Sequence, residues 1–204
     1  MTQSFTVSAS GAGFPQTSVL DNFNRPNGRL GSNWSGATAT SQYVLKNDQV
    51  EPDGSLPIYW NPSPYGVNQE AFVTLSKVDP NGQEQDLMLK VQGGPNGIDY
   101  SKGVIEVDYL AQSHAVRLST LRPNSGWFDY PTVSATFQAG DQFGARAYST
   151  GEVRIYRNRQ QIASIMMKSA DRAFFDGRGG YIGLWFVSSR GSVFDDFGGG
   201  TFAP

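Results

Sequence analysis

The fold is decided by a stretch near the amino terminus, Leu20-Asp-Asn-Phe-Asn-Arg-Pro-Asn-Gly-Arg-Leu-Gly-Ser-Asn-Trp34. It predicts a first strand that runs into a tight turn, because Pro26-Asn-Gly28 supplies a glycine for a backbone position with positive φ. Phe23, Leu30 and Trp34 are its apolar anchors. In Ser192-Val-Phe-Asp-Asp-Phe-Gly198, near the other end, acidic residues again lie between aromatic ones. We therefore expect the two segments to pair as neighbouring strands and to bring their carboxylates together.

Composition favours an all-β protein of one domain. Aromatic residues make up 13% of the 204 residues and there are 24 glycines, whereas charged residues reach only 17%. Such a balance favours strands and tight turns over solvated helices. The formal net charge is only −2 and no basic run occurs, so we expect no nucleic-acid partner and no attachment to an anionic membrane.

Several site classes are excluded by residue types that are missing or rare. The chain has no cysteine, which excludes disulfides, thiolate nucleophiles and cysteine-ligated zinc. The single histidine, His114, has no second histidine to complete a metal site, and we assign it no role. No apolar run reaches the ~18 to 20 residues of a membrane span, and the amino terminus lacks the features of a signal peptide. We expect no membrane insertion.

Hydrophobic residues alternate with polar ones along most of the chain, which is the pattern of half-buried strands. About a dozen strands are predicted, at the spacing of a sandwich or barrel. They include Ala71-Val73-Leu75, Leu87-Leu89-Val91, Ile105-Val107-Tyr109, Val133-Ala135-Phe137 and Ile182-Leu184-Phe186. Asn47-Asp48 predicts a small hairpin, and the proline-rich segment Leu56–Gly66 predicts a loop or a sheet edge. Only Ser169–Phe174 could form a helical turn, with Ser169 as its cap.

The domain division follows from the same pattern. Residues 1–17 are rich in Ser, Gly and Thr, which predicts an amino-terminal arm outside the main fold. Residues 18–204 form one β-sandwich domain. Phe5 and Val7 give the arm little apolar area to bury on its own domain, so we expect it to dock on another copy or on a different protein of the same assembly. The working form would then be a homo-oligomer.

Three segments together carry a resemblance to a known superfamily. They are the opening stretch, Tyr181-Ile-Gly-Leu-Trp-Phe-Val187 and Val193-Phe-Asp-Asp-Phe-Gly-Gly-Gly200. Over about residues 18–202 the chain resembles the concanavalin A-like (laminin-G and laminarinase-type) jelly rolls, and more narrowly those of bacterial surface proteins and phage minor tail proteins. The resemblance implies an antiparallel jelly-roll β-sandwich. The superfamily includes lectins, glycanases and scaffolds on one frame, so fold alone does not choose between them.

The interpretation we favour is a non-catalytic structural and attachment module on a virion or extracellular surface, with affinity for a glycan or cell-surface polysaccharide and contacts to other subunits of the assembly. No signal peptide is visible in the chain. Two alternatives stay open. One is a glycan hydrolase or lyase of laminarinase-like fold that uses Glu106 and Asp108. The other is a purely architectural virion protein without a ligand.

The enzyme alternative depends on one motif. Laminarinase-type glycanases carry Glu-x-Asp-x-Glu or Glu-x-Asp-x-x-Glu on one strand, where alternate residues share a face. This chain has Glu106-Val-Asp108, but Leu110 and Ala111 occupy the two places for the third acid. We therefore expect no catalytic residues, and we expect Glu106 and Asp108 to face solvent on a strand whose other face is in the core. The acidic residues Glu70, Glu84 and Asp86 lie on other predicted strands and could approach Glu106.

A calcium ion that joins the first strand to the last is implied by the resemblance, as a structural cofactor. Its ligands here would be Asp21, Asn22, Asp195 and Asp196, of which Asn22 and Asp195 occupy the matching places. Asn22 stands where Glu is common, which removes one negative charge and would weaken calcium binding. The alternative is that these side chains bind the turns and termini by hydrogen bonds without a metal.

Aromatic residues outside the core alternation are the candidates for glycan binding, because a flat ring stacks on the apolar face of a sugar. They are Tyr59, Trp60, Tyr65, Trp127 and Tyr130, with Trp185 in the wider set. Trp60 and Trp127 are preferred, because each lies in a segment rich in Pro, Asn or Gly that we expect at a rim. The alternative is that these rings fill the core.

Overall fold

The structure is a computed structural model that describes residues 13–94 and 97–204. The strands of the first half are β1 (Val19–Asp21), β2 (Trp34–Gly36), β3 (Tyr43–Lys46), β4 (Gln49–Pro52), β5 (Ile58–Tyr65), β6 (Gln69–Lys77), β7 (Glu84–Val91) and β8 (Val104–Leu110). Those of the second half are β9 (Ala115–Arg122), β10 (Gly126–Asp129), β11 (Val133–Ser134), β12 (Asp141–Ala147), β13 (Glu152–Arg157), β14 (Gln160–Met166), β15 (Gly180–Val187) and β16 (Val193–Thr201). One α-helix, α1 (Ser169–Phe175), and two short 3-10 helices, Tyr100–Lys102 and Ala111–Ser113, complete the described elements.

The strands form two antiparallel sheets. The first sheet has the order β14-β13-β12-β6-β16-β4-β3, with β1 paired to β16. The second sheet has the order β10-β9-β8-β7-β15-β5-β2, with β11 paired to β9. Neighbours in each sheet are often far apart in sequence, as in the Greek-key connections of a jelly roll. The predicted fold class, an antiparallel β-sandwich, is confirmed.

The pairing of the two terminal segments is also confirmed. Val19 lies opposite Gly198 and Asp21 opposite Phe197. Phe23 packs edge-on against Phe194, with ring centroids 5.7 Å apart. Trp34 packs against the ring of Phe197 at 5.0 Å. The aromatic residues of both segments thus enter one core, and this contact joins the two ends of the domain.

The core lies between the sheets, and the alternation decides which side chains enter it. Along β8, Ile105, Val107 and Tyr109 are fully or almost fully buried in that core. Glu106 and Asp108 alternate with them and therefore point to the opposite side. We call that side, the face of the second sheet directed away from the core, the outer face.

Three local predictions have mixed outcomes. The hairpin at Asn47-Asp48 is confirmed, since β3 pairs with β4 and both turn residues have positive φ. The helical turn is confirmed as α1, but its cap was wrong: the N-cap is Lys168 and no side chain caps it. The segment Leu56–Gly66, predicted as a loop or a sheet edge, is mostly strand β5, which lies next to the edge strand β2. Its prolines are tolerated because β2 pairs only with the residues Ile58 to Trp60.

The described part of the predicted arm does not lie outside the fold. Phe14 is buried and stacks on Tyr156, with ring centroids 4.1 Å apart. The backbone amides of Gln16 and Thr17 donate to Glu70 Oε1 at 2.7 and 2.5 Å. Glu70 also binds Arg146 at 2.8 Å, and both side chains are buried. Residues 13–17 are therefore held by their own domain, whereas the predicted strand residues Phe5 and Val7 lie outside the described residues.

Among the described residues, no helix is both long and apolar enough to cross a membrane.

Candidate functional site: an acidic cleft on the outer face

The strand register brings polar side chains of four neighbouring strands together on the outer face. Asp86 of β7 lies opposite Asp108 of β8, and on its other side opposite Trp185 of β15. Asp108 in turn lies opposite Arg117 of β9. This row of four side chains crosses the sheet, because directly opposite residues in antiparallel strands point to the same face.

A second row lies beside it. Glu106 is opposite Ser119 of β9, and Ser119 is opposite Asp129 of the edge strand β10. Five members of the two rows, all except Asp86 and Asp108, help to line a cleft of about 300 Å³. Its lining residues are Glu84, Glu106, Arg117, Ser119, Trp127, Asp129 and Trp185. We call this space the cleft. Its volume is at the low end of the usual range for ligand sites.

Three carboxyl groups lie close together beneath the cleft, and we call them the acidic triad: Asp86, Glu106 and Asp108. Of these, only Glu106 borders the cleft itself. One carboxylate oxygen of each lies within 4.8 Å of those of the other two. The exposed fractions are only 1% for Asp86, 5% for Glu106 and 1% for Asp108. The prediction that Glu106 and Asp108 face solvent was therefore wrong. They do point away from the core, but side chains of neighbouring strands cover them.

The triad has few hydrogen-bond partners. Asp108 Oδ2 accepts from Arg117 Nε at 2.8 Å and from Ser119 Oγ at 2.7 Å. Four other buried oxygens have no partner among the described residues: both of Asp86, Oε1 of Glu106 and Oδ1 of Asp108. A buried polar atom without a partner costs about 1–3 kcal/mol, and more if it is charged. The burial of these four oxygens is thus energetically unfavourable, and another interaction must compensate for it.

Burial and like charges raise the pKa values of all three acids. Burial raises the pKa of Asp86 well above its usual value, and the nearby Asp108 and Glu106 raise it further. The pKa of Glu106 is likewise raised, first by burial and then by Asp108. Burial also raises the pKa of Asp108, but the opposing effects of Arg117 and Ser119 limit the rise to about 6. In the absence of a cation, the triad therefore retains protons at pH values where exposed carboxyls have lost them.

Arg117 is the counterion of the cleft but not of the whole triad. Its guanidinium contacts Glu84 at 2.6 Å, Asp108 at 2.8 Å and Asp129 at 3.2 Å. It makes no ion pair with Asp86 or Glu106 among the described residues. Three carboxyl groups thus share the positive charge of one arginine, and the cleft has a negative electrostatic field.

Aromatic rings form one wall. Trp127 and Trp185 have ring centroids 6.5 Å apart. Tyr100 stacks on Trp127 at 6.2 Å and packs against Trp185 at 4.8 Å. Trp127 is 43% exposed, and the indole of Trp185 is held in place by a hydrogen bond from Nε1 to Ser55 O at 2.8 Å. The wall therefore offers open aromatic surface in a fixed orientation.

Of the two residues predicted at a rim, only Trp127 lies there. Trp60 is buried in the core between the sheets, where its ring meets Trp34 edge-on at 5.5 Å. Its rim position was wrong, since strand β5 directs this side chain inward. Tyr59, the preceding residue, points to the outer face but is covered there by Tyr181 and other apolar side chains.

The other two aromatic candidates lie away from the cleft. Tyr65 is half-buried and packs against the core. Tyr130 is buried, and its hydroxyl donates to Asp171 at 2.6 Å and accepts from the Lys168 amide at 2.9 Å. Neither ring contributes to the wall formed by Trp127 and Trp185. Glycan binding by Tyr59, Trp60, Tyr65 and Tyr130 stays a prediction, but their surroundings are those of packing residues.

The terminal-strand residues proposed for calcium do lie near one another. Asp21, Asn22 and Asp196 border a common shallow depression. However, the Asp21 carboxylate already accepts four hydrogen bonds, from Phe23 N at 2.9 Å, Trp34 Nε1 at 2.7 Å and two nitrogens of Arg25 at 2.6 and 3.0 Å. These fill the acceptor positions of a carboxylate. A metal bound by the Asp21 side chain would have to displace some of these bonds, so this residue fits a cation poorly.

The side chains of the remaining candidates at that site accept fewer hydrogen bonds than Asp21 does. The side chain of Asn22 is exposed and accepts from Asn24 N at 3.2 Å. Asp195 Oδ1 accepts from the amide of Asp196 at 2.8 Å. Calcium at the terminal strands, with Asp21, Asn22, Asp195 and Asp196 as side-chain ligands, stays a prediction, and Asp21 is the ligand that fits it least.

Sequence reasoning found part of the cleft and missed part of it. The approach of Asp86 to Glu106 was foreseen as one option, but so was that of Glu70, which lies in the other sheet and binds Arg146 instead. Arg117, Asp129 and Tyr100 were missed. The alternation of β9 places Arg117 on the outer face. This positive charge, on the strand that follows β8, was the signal in the sequence for an ion pair with Asp108.

The comparisons with known proteins concern the fold. No protein-family model matches the sequence, and no curated protein matches it. Among solved structures, the carbohydrate-binding module CBM66 from Bacillus subtilis superposes with a TM-score of 0.57 at 13% identity, over 83% of this chain and 96% of that one. The endo-β-1,3-glucanase from Pyrococcus furiosus gives a TM-score of 0.55 at 13% identity, over 90% and 93%.

A third similar structure is a prokaryotic β-1,3-1,4-glucanase (lichenase) derived from a mouse hindgut metagenome. Its TM-score is 0.55 at 12% identity, over 89% of this chain and 97% of that one. At these identities the likeness concerns the fold and leaves open whether this chain binds or cleaves a glycan. Together with the two-sheet topology, it establishes that the chain has the concanavalin A-like jelly-roll fold.

Proposed function

We propose that the cleft binds a glycan and that the domain is a non-catalytic attachment module on a virion or cell surface. The observation that carries the proposal is the juxtaposition of the open Trp127–Trp185 wall with a floor of carboxyl and hydroxyl groups. Aromatic rings stack on the apolar face of a sugar, whereas oxygen acceptors bind its hydroxyls. The fixed orientation of Trp185 reduces the entropy that binding would cost.

The charge of the cleft selects the class of glycan. Glu84, Glu106 and Asp129 line it, and Arg117 is already engaged by three carboxylates. A uronic acid or sialic acid would be repelled by these groups in the partly enclosed cleft. The ligand we propose is therefore a neutral glycan, and the small volume suits a short stretch of it.

The similar structures support this proposal at the level of carbohydrate recognition, since one is described as a carbohydrate-binding module and two as β-glucanases. Display on a virion or cell surface and assembly with other subunits rest on the resemblance of the terminal motifs to surface and tail proteins. β-1,3-Glucan and β-1,3-1,4-glucan are the first neutral polymers to test.

Binding of neutral oligosaccharides, measured by isothermal titration in the presence of a chelator, tests the proposal. We expect Trp127→Ala to weaken binding about 30-fold, since loss of an interface tryptophan costs about 2 kcal/mol. Phe128→Ala is the matched control, because Phe128 is the next residue on the same strand, is 41% exposed and points to the other face. Equal losses in both variants, or no binding to a broad panel of neutral glycans, would overturn the proposal.

Glycan hydrolysis is the second candidate function, and one observation favours it. Asp86 supplies from the neighbouring strand a third carboxyl that the β8 motif lacks. Burial raises the pKa of Glu106, which borders the cleft, while Arg117 holds Glu84 and Asp129 in ion pairs. A protonated acid beside ionised ones is an arrangement that glycosidases use.

The burial of the triad argues against hydrolysis. Two catalytic carboxyl groups must both reach the glycosidic bond. Here Asp86 and Asp108 are almost fully buried and do not border the cleft. Release of reducing sugar from a polysaccharide panel by the wild-type protein, lost in Glu106→Gln, would establish the enzyme. We expect no release.

A further inference from the structure

The acidic triad is the least compensated charged group among the described residues. Its members are nine-tenths or more buried, yet four of their six carboxylate oxygens have no hydrogen-bond partner. Asp86 is the extreme case, because both of its oxygens are buried and neither has a partner. Buried carboxyls are ordinarily bound by donors, paired with cations or ligated to metals. The bare oxygens therefore indicate a missing positive partner.

Arg117 does not fill this role. Of the six carboxylate oxygens of the triad, Arg117 binds only Oδ2 of Asp108, which also accepts from Ser119. Its positive charge is shared with Glu84 and Asp129, which lie outside the triad. An ionised triad would therefore keep at least two uncompensated negative charges. One divalent cation would neutralise them.

We propose that Asp86, Glu106 and Asp108 bind a calcium ion beneath the cleft. The three side chains offer only oxygen, which suits hard cations. Calcium–oxygen distances are 2.3–2.6 Å, so two ligands of one calcium ion lie at most about 5 Å apart. The oxygens of the triad lie within 4.8 Å of one another, inside that limit.

Calcium fits better than magnesium. At magnesium–oxygen distances of 2.0–2.1 Å, two ligands lie at most about 4.2 Å apart and must take near-octahedral positions. Three side chains fixed on two neighbouring strands, β7 and β8, do not adjust readily to octahedral positions, whereas calcium tolerates irregular coordination. The ion would enter by way of Glu106, which borders the cleft, and waters of the cleft would complete its coordination.

This site is distinct from the terminal-strand position, where Asp21 is already saturated with donors. It also goes beyond glycan binding, because the triad would bind calcium whether or not a sugar occupies the cleft.

The test uses the full chain, stripped of metal with a chelator and titrated with calcium chloride at pH 8 in the absence of glycan. We expect calcium binding by calorimetry and, at a hundredfold excess over Kd, a rise in Tm of about 5–10 °C. Magnesium chloride should give a weaker response. At pH 5 the calcium affinity should fall at least tenfold, because protons compete for the same oxygens.

Two variants locate the ion. Asp86→Asn is close in shape and removes one ligand charge, so it should fold and lose at least tenfold in calcium affinity. Asp195→Asn is the matched control at the terminal strands, and its calcium affinity at the triad should be unchanged. Circular dichroism confirms that both variants are folded.

Emission from bound terbium gives a second readout of position. Trp185 lies directly beside Asp86 across the sheet, so tryptophan-sensitised terbium emission should fall in Trp185→Phe. The proposal is overturned if millimolar calcium neither binds nor shifts the Tm of the wild-type protein. It is equally overturned if Asp195→Asn abolishes calcium binding while Asp86→Asn retains it.

Discussion

Replacing Asp86 by asparagine removes a carboxyl group that is buried beside two others and lacks any donor. In the presence of a chelator at pH 8, folding of the wild-type protein must either ionise this group without a partner or hold a proton on it. The asparagine side chain keeps the shape, carries no charge and can donate to the free oxygens of Glu106 and Asp108. We therefore expect the variant to be more stable than the wild type.

The structure sets the size and the pH dependence of this gain. Relieving one buried unsatisfied group is worth about 1–3 kcal/mol, which for a domain of this length raises the Tm by about 2–12 °C. A carboxyl whose pKa is raised by folding binds more protons in the native state than in the unfolded state. Native stability therefore falls as pH rises from about 4 through the raised pKa.

Asp108 gives the scale of that fall. Its pKa rises from 3.8 to about 6, so its titration lowers the free energy of unfolding by about 2 kcal/mol between pH 4 and pH 7. The pKa of Asp86 is raised as well. The advantage of Asp86→Asn should thus be close to zero at pH 4, where the wild-type carboxyl is protonated, and should grow toward pH 8.

Urea unfolding followed by circular dichroism, at pH values from 4 to 8 with chelator present, measures this difference. Other acids, such as Asp141, have lowered pKa values and make absolute stability rise with pH, so the informative quantity is variant minus wild type. Asp53→Asn is the control, because Asp53 is 58% exposed in a surface pair with Arg190, and it should change little. An Asp86→Asn variant that is destabilised at pH 8 would refute the account of the triad as uncompensated.

The remaining predictions concern the residues that hold the amino-terminal segment, that segment itself, and the terminal strands. Arg146→Met should lower the free energy of unfolding by about 3–5 kcal/mol, because it leaves Glu70 buried without its partner; thermal or urea unfolding measures it. Phe14→Ala should cost about 3 kcal/mol in the same assay, because it removes a buried stacked ring. Deleting residues 1–12 should leave a folded monomer and abolish assembly, and a monomeric intact protein in light scattering contradicts this. If calcium also binds the terminal strands, Asp195→Asn should remove one of two calorimetric sites.

The sequence by itself determined most of the strands, although not β5, and an all-β fold. Apolar residues at every second position, as in Ile105, Val107 and Tyr109, bury one face of a strand whatever its neighbours are, so local pattern and tertiary structure agree. The repeated pattern of acidic residues between aromatic ones also predicted that the terminal segments pair, and this pairing is observed. The Asn47-Asp48 hairpin was predictable because its turn needs residues that tolerate positive φ.

Only the tertiary structure decided the cleft. Alternation predicts that Glu106 points away from the core, but it cannot say whether that outer face is open or covered. Coverage depends on which strands flank β8 and in which register: here β7 places Asp86, and β9 places Arg117, beside Asp108. Similarly, Trp60 is buried because β2 pairs with β5 and brings Trp34 against it. These contacts join residues tens of positions apart, and their burial and shared electrostatics arise only once the sheet order is set.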